Sequence, residues 1–254
     1  MTDLLKGPML KIERARALIE KIPVYERAAF SGNVYALVED VDPPTGDRIL
    51  KIKFVGQIPE EILLLVAEVV YHLRSSLDQL AVALARANGT TNTSEVYFPF
   101  AGSNEQFFTY RKPKRSLESF SPEAASIISR LQPYKGGNDF LWGISRLANV
   151  DKHSDLVPIG TIGNLNVVQN LQIVGAKVGL LITGQNRLDE GIPISNLGTR
   201  GKITTTNGSL PNFQISGAVA FGNVDVFQGQ PVTATLKQAS LLVDRIVAIL
   251  MPHV

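Results

Sequence analysis

Apolar side chains follow a helical period through one long stretch of the chain, from about residue 59 to residue 88. Most of them recur three or four positions apart, which places them on one face of a helix. Pro59 suits the first turn of this helix, and Gly89 suits the position just after its end. The pattern therefore predicts a long and largely buried helix. The members of its strongest apolar face are Val66, Val69, Val70, Leu73, Leu77, Leu80 and Leu84.

Shorter helices are predicted by their start and stop signals. Ser121–Glu123 supplies an N-cap, a proline at the first helical position and a first-turn acid. The turn at Gly136–Gly137 precedes a second helix, and Pro231 precedes a third. A charged helix near the N-terminus ends before Pro23. The predicted spans are about 9–21, 122–131, 139–153 and 232–250.

Alternation of apolar and polar residues predicts β-strands on either side of these helices. Residues 33–40 and 49–55 form two such stretches, joined by a turn at Asp42–Gly46. Strand periodicity returns over about 157–227, with candidates at 167–174, 178–183, 202–206 and 213–221. Because the helices lie between two strand-rich regions, we expect a single intertwined α+β domain over 1–254. In it, a central helical bundle packs with antiparallel strands.

Composition narrows the classes of protein that this chain can belong to. Its net charge of +2 is too small to predict a nucleic-acid binder by itself. The absence of cysteine excludes disulfides, thiol catalysis and thiolate metal sites. The sequence contains no signal-peptide pattern and no uncharged apolar run near the roughly 18 residues of a membrane helix, so we expect a cytoplasmic protein with no membrane partner. No glycine-rich phosphate loop or dinucleotide fingerprint is present, so no cofactor is predicted.

Candidate chemistry concentrates on the predicted helix over 139–153. Arg146 and His153 stand seven positions apart, close to two helical turns, so they share a face with Asn149 between them. A guanidinium can hold an anion, and an imidazole can move a proton near neutral pH. Any catalytic site is expected to contain these three residues. His72 or Tyr71 is expected to face them from the long helix.

A basic run at residues 111–115 supplies a second group of candidates. Together with nearby aromatic residues, it is typical of a loop that contacts substrate phosphates. A solvated loop without a binding role explains the same pattern. Trp142 is a further candidate substrate contact, although tryptophan also suits the core. The basic side chains of this run are Arg111, Lys112, Lys114 and Arg115.

Four charged residues are candidates for a structural polar network. Arg74 and Asp78 lie one turn apart on the long helix, where small neighbours allow another element to approach. Asp151 projects toward the apolar face of its own helix and therefore needs a partner, which Arg74 can provide. Lys152 follows directly. Such a network can tie helices together without taking part in any reaction.

A metal site is the alternative to metal-free chemistry. Glu68 and His72 stand four positions apart, a spacing that can hold a metal, and His153 with an aspartate could complete the ligand set. The chain has three histidines, and His253 is next to last. A metal site would therefore depend mostly on carboxylates, and the prediction is a site without metal.

Several short segments resemble those of a family of uncharacterised bacterial proteins. They occur in the family's order over about residues 10–155, but the resemblance implies no particular activity. The family has histidines at the positions of Tyr71 and Gln79 and an arginine at that of Ser154. Any activity that depends on those side chains is altered or lost here. The segments are Lys11–Ala15, His72–Asp78, Phe98–Pro99, Leu131–Tyr134, Leu141–Trp142 and Asn149–His153.

The arginine and histidine separated by six residues also resemble the motif of HEPN ribonucleases. This remoter resemblance implies a helical and often dimeric protein that cleaves RNA without a metal, with Arg146 and His153 as its catalytic pair. The chain departs from that motif at Leu147, where a polar residue is typical. It also has more strand content than a minimal HEPN bundle.

Three classes of function therefore remain open. The first is a metal-independent phosphodiester-cleaving enzyme with RNA as substrate, which a shared location of the basic run and Arg146 would favour. The second is an enzyme or binding protein for a small molecule, which an enclosed apolar pocket between helices and sheet would favour. The third is a non-catalytic interaction protein, which a fully paired and inaccessible polar network would favour.

Overall fold

The computed structural model of this chain describes residues 3–32, 34–41, 43–153, 159–169, 171–174, 186–187, 191–198, 202–205, 212–222 and 224–254. Within these residues the chain forms separate helical and antiparallel β-sheet regions, so the predicted α+β class is confirmed. The helices are α1 Asp3–Ile19, α2 Ile22–Ala29, α3 Glu60–Ala87, α4 Asn104–Thr109, α5 Arg111–Glu118, α6 Pro122–Leu131, α7 Asp139–His153 and α8 Val232–Leu250.

The strands of the described regions are short and antiparallel. Three sheets are seen there, with strand orders β1-β2-β6, β5-β3-β8 and β4-β7. The predicted strand at 178–183 lies outside the described residues. The strands are β1 Tyr35–Val41, β2 Arg48–Phe54, β3 Ile159–Gln169, β4 Leu171–Val174, β5 Asn186–Arg187, β6 Ile192–Gly198, β7 Lys202–Thr205 and β8 Asn212–Phe221.

The chain divides into two compact units, and each is assembled from separated segments. The helical unit comprises Met1–Pro23, Glu60–Pro158 and Gly222–Val254. The sheet unit comprises Val24–Pro59 and Ile159–Phe221. Because each unit needs chain segments that are distant in sequence, both are interleaved along the chain. The expectation of a single domain stays a prediction.

The predicted long helix is α3, which lies at the centre of the helical unit. It packs against α1, α7 and α8, and Val66, Val69 and Leu77 on its apolar face have no exposed surface. Gly89 ends it with a φ of 85°. This left-handed conformation lets Thr90 N donate to Ala85 O at 2.9 Å, which closes the last turn.

Several helical segments differ from their sequence-based spans, and α2, which contains Pro23, was not predicted. The predicted N-terminal helix begins at Asp3 rather than at residue 9, and Pro8 lies inside it. The segment after Gly89, predicted as irregular, contains α4 and α5. Ser103 Oγ caps α4 by accepting a hydrogen bond from Gln106 N at 3.2 Å. Pro113 lies in the first turn of α5, where its missing N–H interrupts no helical hydrogen bond.

The packing of α7 depends on a close approach at Gly143. A Cβ atom at this position would lie 2.6 Å from the Phe227 ring and 2.5 Å from Val226. Glycine at position 143 therefore allows α7 to approach the turn at Asp225–Phe227 more closely than any other residue type at that position would allow. This contact fixes the helix that carries Trp142, Arg146 and Asn149.

The sheet unit retains the alternation seen in its sequence. Leu50, Ile52 and Phe54 of β2 are buried, whereas Lys53 between them is exposed. Strand β1 pairs with β2 from Tyr35 opposite Phe54 onward. The candidate functional residues lie in the helical unit. None of the helices in the described part of the chain is long and apolar enough to cross a membrane.

Candidate functional site

A pocket of about 780 Å³ lies in the helical unit. Its walls come from α3, α5 and α7, from the segment 97–102 and from the turn after α6. The polar residues that decide its chemistry are Arg74, Asp78, Lys112, Lys135, Arg146 and Asn149. We refer to it as the cationic pocket, because four of these six side chains carry a positive charge.

The wall from α3 presents an ion pair. Arg74 Nη2 lies 3.1 Å from Asp78 Oδ1, and the two side chains are 15% and 26% exposed. Asp78 Oδ1 also accepts a hydrogen bond from Phe98 N at 2.9 Å. The carboxylate therefore holds Arg74 on one side and the backbone of the pocket wall on the other.

Arg74 has one guanidinium nitrogen without a hydrogen-bond partner among the described residues. Its Cζ lies 4.3 Å from the centre of the Phe100 ring, so one face is covered by an aromatic side chain. Its Nη1 is buried and has no hydrogen-bond partner among the described residues. Burial lowers the pKa of Arg74 and the charge of Asp78 opposes that effect. Arginine stays charged at neutral pH because its usual pKa is so high.

The other three cations reach the cationic pocket from different elements. Lys112 comes from α5, Lys135 from the turn after α6 and Arg146 from α7. Lys135 Nζ and Arg146 Cζ lie 5.5 Å and 5.8 Å from the centre of the Trp142 ring. Among the described lining residues, Asp78 alone carries a negative charge. The pocket therefore has a positive potential and suits an anion.

The structure brings Trp142, Arg146 and Asn149 together in this pocket. Trp142 is 7% exposed and so forms both part of the core and part of the pocket wall. Arg146 and Asn149 are exposed. The side chains of Asp151, Lys152 and His153, at the end of α7, lie outside the described residues, as does Ser154. Their predicted roles stay predictions.

The basic run is a helix, not the loop that its proline and charges suggested. As α5, it places one cation in the wall of the cationic pocket and pairs the other three with acids. Lys112 lines the cationic pocket. Arg111 lies 3.7 Å from Glu95 Oε2, and Lys114 Nζ lies 3.8 Å from Glu118 Oε1. Arg115 pairs with Glu95 as well, so the other three cations are largely balanced by acids.

Tyr71 lies at the edge of the site on α3. It lines a small cavity of about 100 Å³ together with Arg74, Ser75, Asp78 and Ala148. Two of these residues also line the cationic pocket, so the cavity adjoins it. Ala148 belongs to α7, so Tyr71 borders a cavity that α7 also lines, and its predicted role in substrate binding stays a prediction.

The structure does not bring His72 to the cationic pocket. Its neighbours are Lys11 and Arg14 of α1 and Glu68 of its own helix. Burial lowers the pKa of His72, the two cations lower it further, and Glu68 acts in the opposite direction. The Nδ1 atom is buried without a hydrogen-bond partner in the described part of the chain.

The proposed metal pair of Glu68 and His72 has a cationic environment. Arg14 Nη2 lies 3.6 Å from Glu68 Oε2, and Lys11 lies near the imidazole. No group of three or more potential metal ligands occurs among the residues that the structure describes. Lys11 and Arg14 would repel a metal ion at this place.

A strained turn after α6 positions Lys135. Gln132 adopts a left-handed φ of 51°, and its carbonyl accepts hydrogen bonds from Tyr134 N at 2.7 Å and Asn138 N at 2.8 Å. Asn138 Oδ1 then accepts from Leu141 N at 3.0 Å, which caps the start of α7. Helix α7 and Lys135 are thus fixed by one hydrogen-bonded turn.

Sequence reasoning missed Lys135 and Phe100 as site residues. Lys135 follows Leu131–Tyr134 directly, and Phe100 follows Phe98–Pro99, so both adjoin segments that carry the family resemblance. Neither position belongs to a helix or strand with a readable period. Their position next to those segments in the sequence is the signal that could have identified them.

Comparison with protein-family models, with curated proteins and with solved structures finds no match to this chain.

Proposed function

We propose that the cationic pocket binds a phosphate group and that the ligand is a phosphodiester, with RNA as the substrate class. The observation that carries this proposal is the buried and unpartnered Nη1 of Arg74, a residue that lines the pocket together with three further cations. A buried donor without a partner is costly, and a phosphate oxygen satisfies it with a charge-assisted hydrogen bond. The planar guanidinium also matches the geometry of phosphate.

The arrangement of the charges supports this class of function over the two others. Lys112 of the basic run shares the pocket with Arg146, which favours phosphate contacts. A lining that contains five charged side chains does not suit an apolar small molecule. The exposure of Arg146 and Asn149 argues against a polar network that serves packing alone.

Cleavage is the second step of the proposal and follows from the predicted role of His153. The ribose 2′-hydroxyl attacks phosphorus, and neutral His153 accepts its proton. The bond from phosphorus to the 5′-oxygen breaks, solvent protonates that oxygen, and a 2′,3′-cyclic phosphate remains. Arg146 stabilises the charge on the phosphoryl oxygens, and Asn149 orients them.

Phosphate binding is tested by calorimetric titration with inorganic phosphate and with a short single-stranded RNA. Arg146→Gln should weaken both by roughly 10- to 100-fold, because a hydrogen bond to a charged group is worth about 1.5–3 kcal/mol. Arg74→Lys should also weaken both, since it preserves the charge beside Asp78 but removes the Nη1 donor. Arg130→Gln on α6 is the matched control, because Arg130 is exposed and does not line the pocket. Wild-type protein that binds neither ligand contradicts the proposal.

Cleavage is tested separately with a mixed RNA pool in the presence of a chelator. The wild type should generate cyclic phosphate ends, and His153→Ala should not. Cleavage that survives the substitution rejects the role of His153. RNA binding without cleavage rejects the chemical step and leaves phosphate binding intact.

A further inference from the structure

A second pocket of about 550 Å³ adjoins the cationic pocket. The two pockets share a wall formed by Phe100–Gly102, Lys112 and Pro113. Lys112 lines both, so one ligand can span them with a charged side chain at the junction. The rest of the second pocket is lined by α4, the start of α5 and the residue between them, Tyr110.

The second pocket differs from the first in its chemistry. Tyr110 presents a ring that is 57% exposed, and Phe100 and Pro113 supply further apolar surface. Arg111 lines it as well, but this guanidinium lies near Glu95. Among the described residues, no acidic side chain lines this pocket. An aromatic ring next to a cationic site suits a planar group that stacks.

The position of Tyr110 is set by the backbone. It follows α4 and precedes α5 with an extended φ of −72° and ψ of 140°. Its N–H donates to Gln106 O at 3.0 Å, and its carbonyl accepts from Lys114 N at 3.2 Å. These two hydrogen bonds hold the backbone of Tyr110 between α4 and α5. The point from which its side chain extends is therefore fixed at the pocket.

We propose that the second pocket is a stacking subsite for the base of a nucleotide whose phosphate occupies the cationic pocket. The inference rests on the proposed function and narrows it to ligands that carry a planar heterocycle beside the phosphate. Tyr110 stacks on the base, and Lys112 contacts the phosphate at the junction.

The experiment compares inorganic phosphate, ribose 5-phosphate and uridine 5′-monophosphate as calorimetric ligands of the full-length protein. The nucleotide should bind about tenfold or more tightly than ribose 5-phosphate, which lacks the base. Tyr110→Ala should abolish that advantage and leave the affinity for ribose 5-phosphate unchanged, whereas Tyr110→Phe should retain it. Phe108→Ala is the matched control, since Phe108 is a half-exposed aromatic residue of α4 outside the pocket lining.

Each outcome separates the two proposals. Equal affinities for ribose 5-phosphate and the nucleotide overturn the stacking subsite and leave phosphate binding standing. An advantage of the nucleotide that persists in Tyr110→Ala also overturns it. Failure of all three ligands to bind the wild type overturns both. An upfield shift of the base proton resonances with wild type, absent with Tyr110→Ala, supports stacking by an independent measurement.

Discussion

Asp78 joins two parts of the helical unit through a single oxygen. That atom accepts from Phe98 N and faces Arg74. Removal of the Asp78 carboxylate leaves the mostly buried Arg74 guanidinium without this countercharge and the Phe98 N–H without this acceptor. The sequence could indicate the first of these contacts from the four-residue spacing on α3. The second could not be read, because Phe98 belongs to a segment without a helical or strand period.

Asp78→Ala should lower the free energy of unfolding by about 3 kcal/mol, near the lower end for a broken buried pair because Asp78 is 26% exposed. Urea unfolding measures this loss. Glu118→Ala is a suitable control: its side chain is 64% exposed and pairs with Lys114. Such a surface pair contributes about 1 kcal/mol at most. Equal losses in the two variants would contradict the importance of the Asp78 contacts.

His72 should make the protein less stable at acidic pH. Its folded-state pKa is lowered by burial and by Lys11 and Arg14, so the unfolded state takes up a proton first as the pH falls below about 6.5. Neutral His72 makes its full contribution to the free energy of unfolding above that pH. This contribution is lost as the pH falls toward the lower folded-state pKa. The urea midpoint should therefore decrease more between pH 7.5 and pH 5 in the wild type than in His72→Gln. Parallel pH curves would refute this expectation.

Helix α7 illustrates how a packing contact places functional side chains. One side of it approaches the Asp225–Phe227 turn at Gly143, and another carries Arg146 and Asn149 into the cationic pocket. Its span follows well from the sequence, because the start after Gly136–Gly137 is marked. Its closest partner could not be predicted, because that turn is distant in sequence and has no periodic pattern.

Gly143→Ala should destabilise the protein by about 1–3 kcal/mol, although alanine is normally the better helix former. The new methyl group would collide with the Phe227 ring, which is buried. Ser126→Ala at an exposed position of α6 provides the control, because it adds no atom to a packed contact. Thermal unfolding should show a loss for the first variant alone; a neutral Gly143→Ala would mean that the turn adjusts freely.

Helix α5 shows a limit of sequence reasoning at the same scale. Arginine, lysine and proline in one run favour a loop on composition, yet Pro113 fits the first turn and Ser116 packs inward. Only the three-dimensional neighbours separate Lys112, which lines the pocket, from Arg111 and Arg115, which face Glu95. Glu95 lies twenty or so residues away in the sequence, so its pairing with these arginines gives no recognisable local sequence pattern.

For the whole molecule, a net charge of +2 conceals an uneven distribution. Four cations from four separate parts of the chain line one pocket, whereas Arg111, Lys114 and Arg115 are matched by acids. Five of the described helices and the strands β1, β2, β7 and β8 could be predicted from periodicity and from start and stop signals, whereas α2, α4 and α5 could not. The pocket could not, because it depends on segments that meet only after folding. The homodimer implied by the remoter resemblance stays a prediction.

Binding of phosphate should weaken as salt is added, because the charges of the pocket reach solvent. The screening length falls from about 10 Å at 0.1 M salt to about 3 Å at 1 M. Titrations of inorganic phosphate across this range should show a declining affinity, with a shallower decline for Arg146→Gln. An affinity independent of salt would exclude a dominant electrostatic contribution.

Trp142 is the only tryptophan of the chain. It lies in the wall of the cationic pocket, and Lys135 Nζ and Arg146 Cζ lie 5.5 Å and 5.8 Å from the centre of its ring. Emission excited selectively from indole therefore originates at this one place. An anion that draws either cation away from the ring changes the electric field at the indole and hence its emission. The unlabelled protein thus carries an intrinsic optical sensor for occupancy of its own pocket.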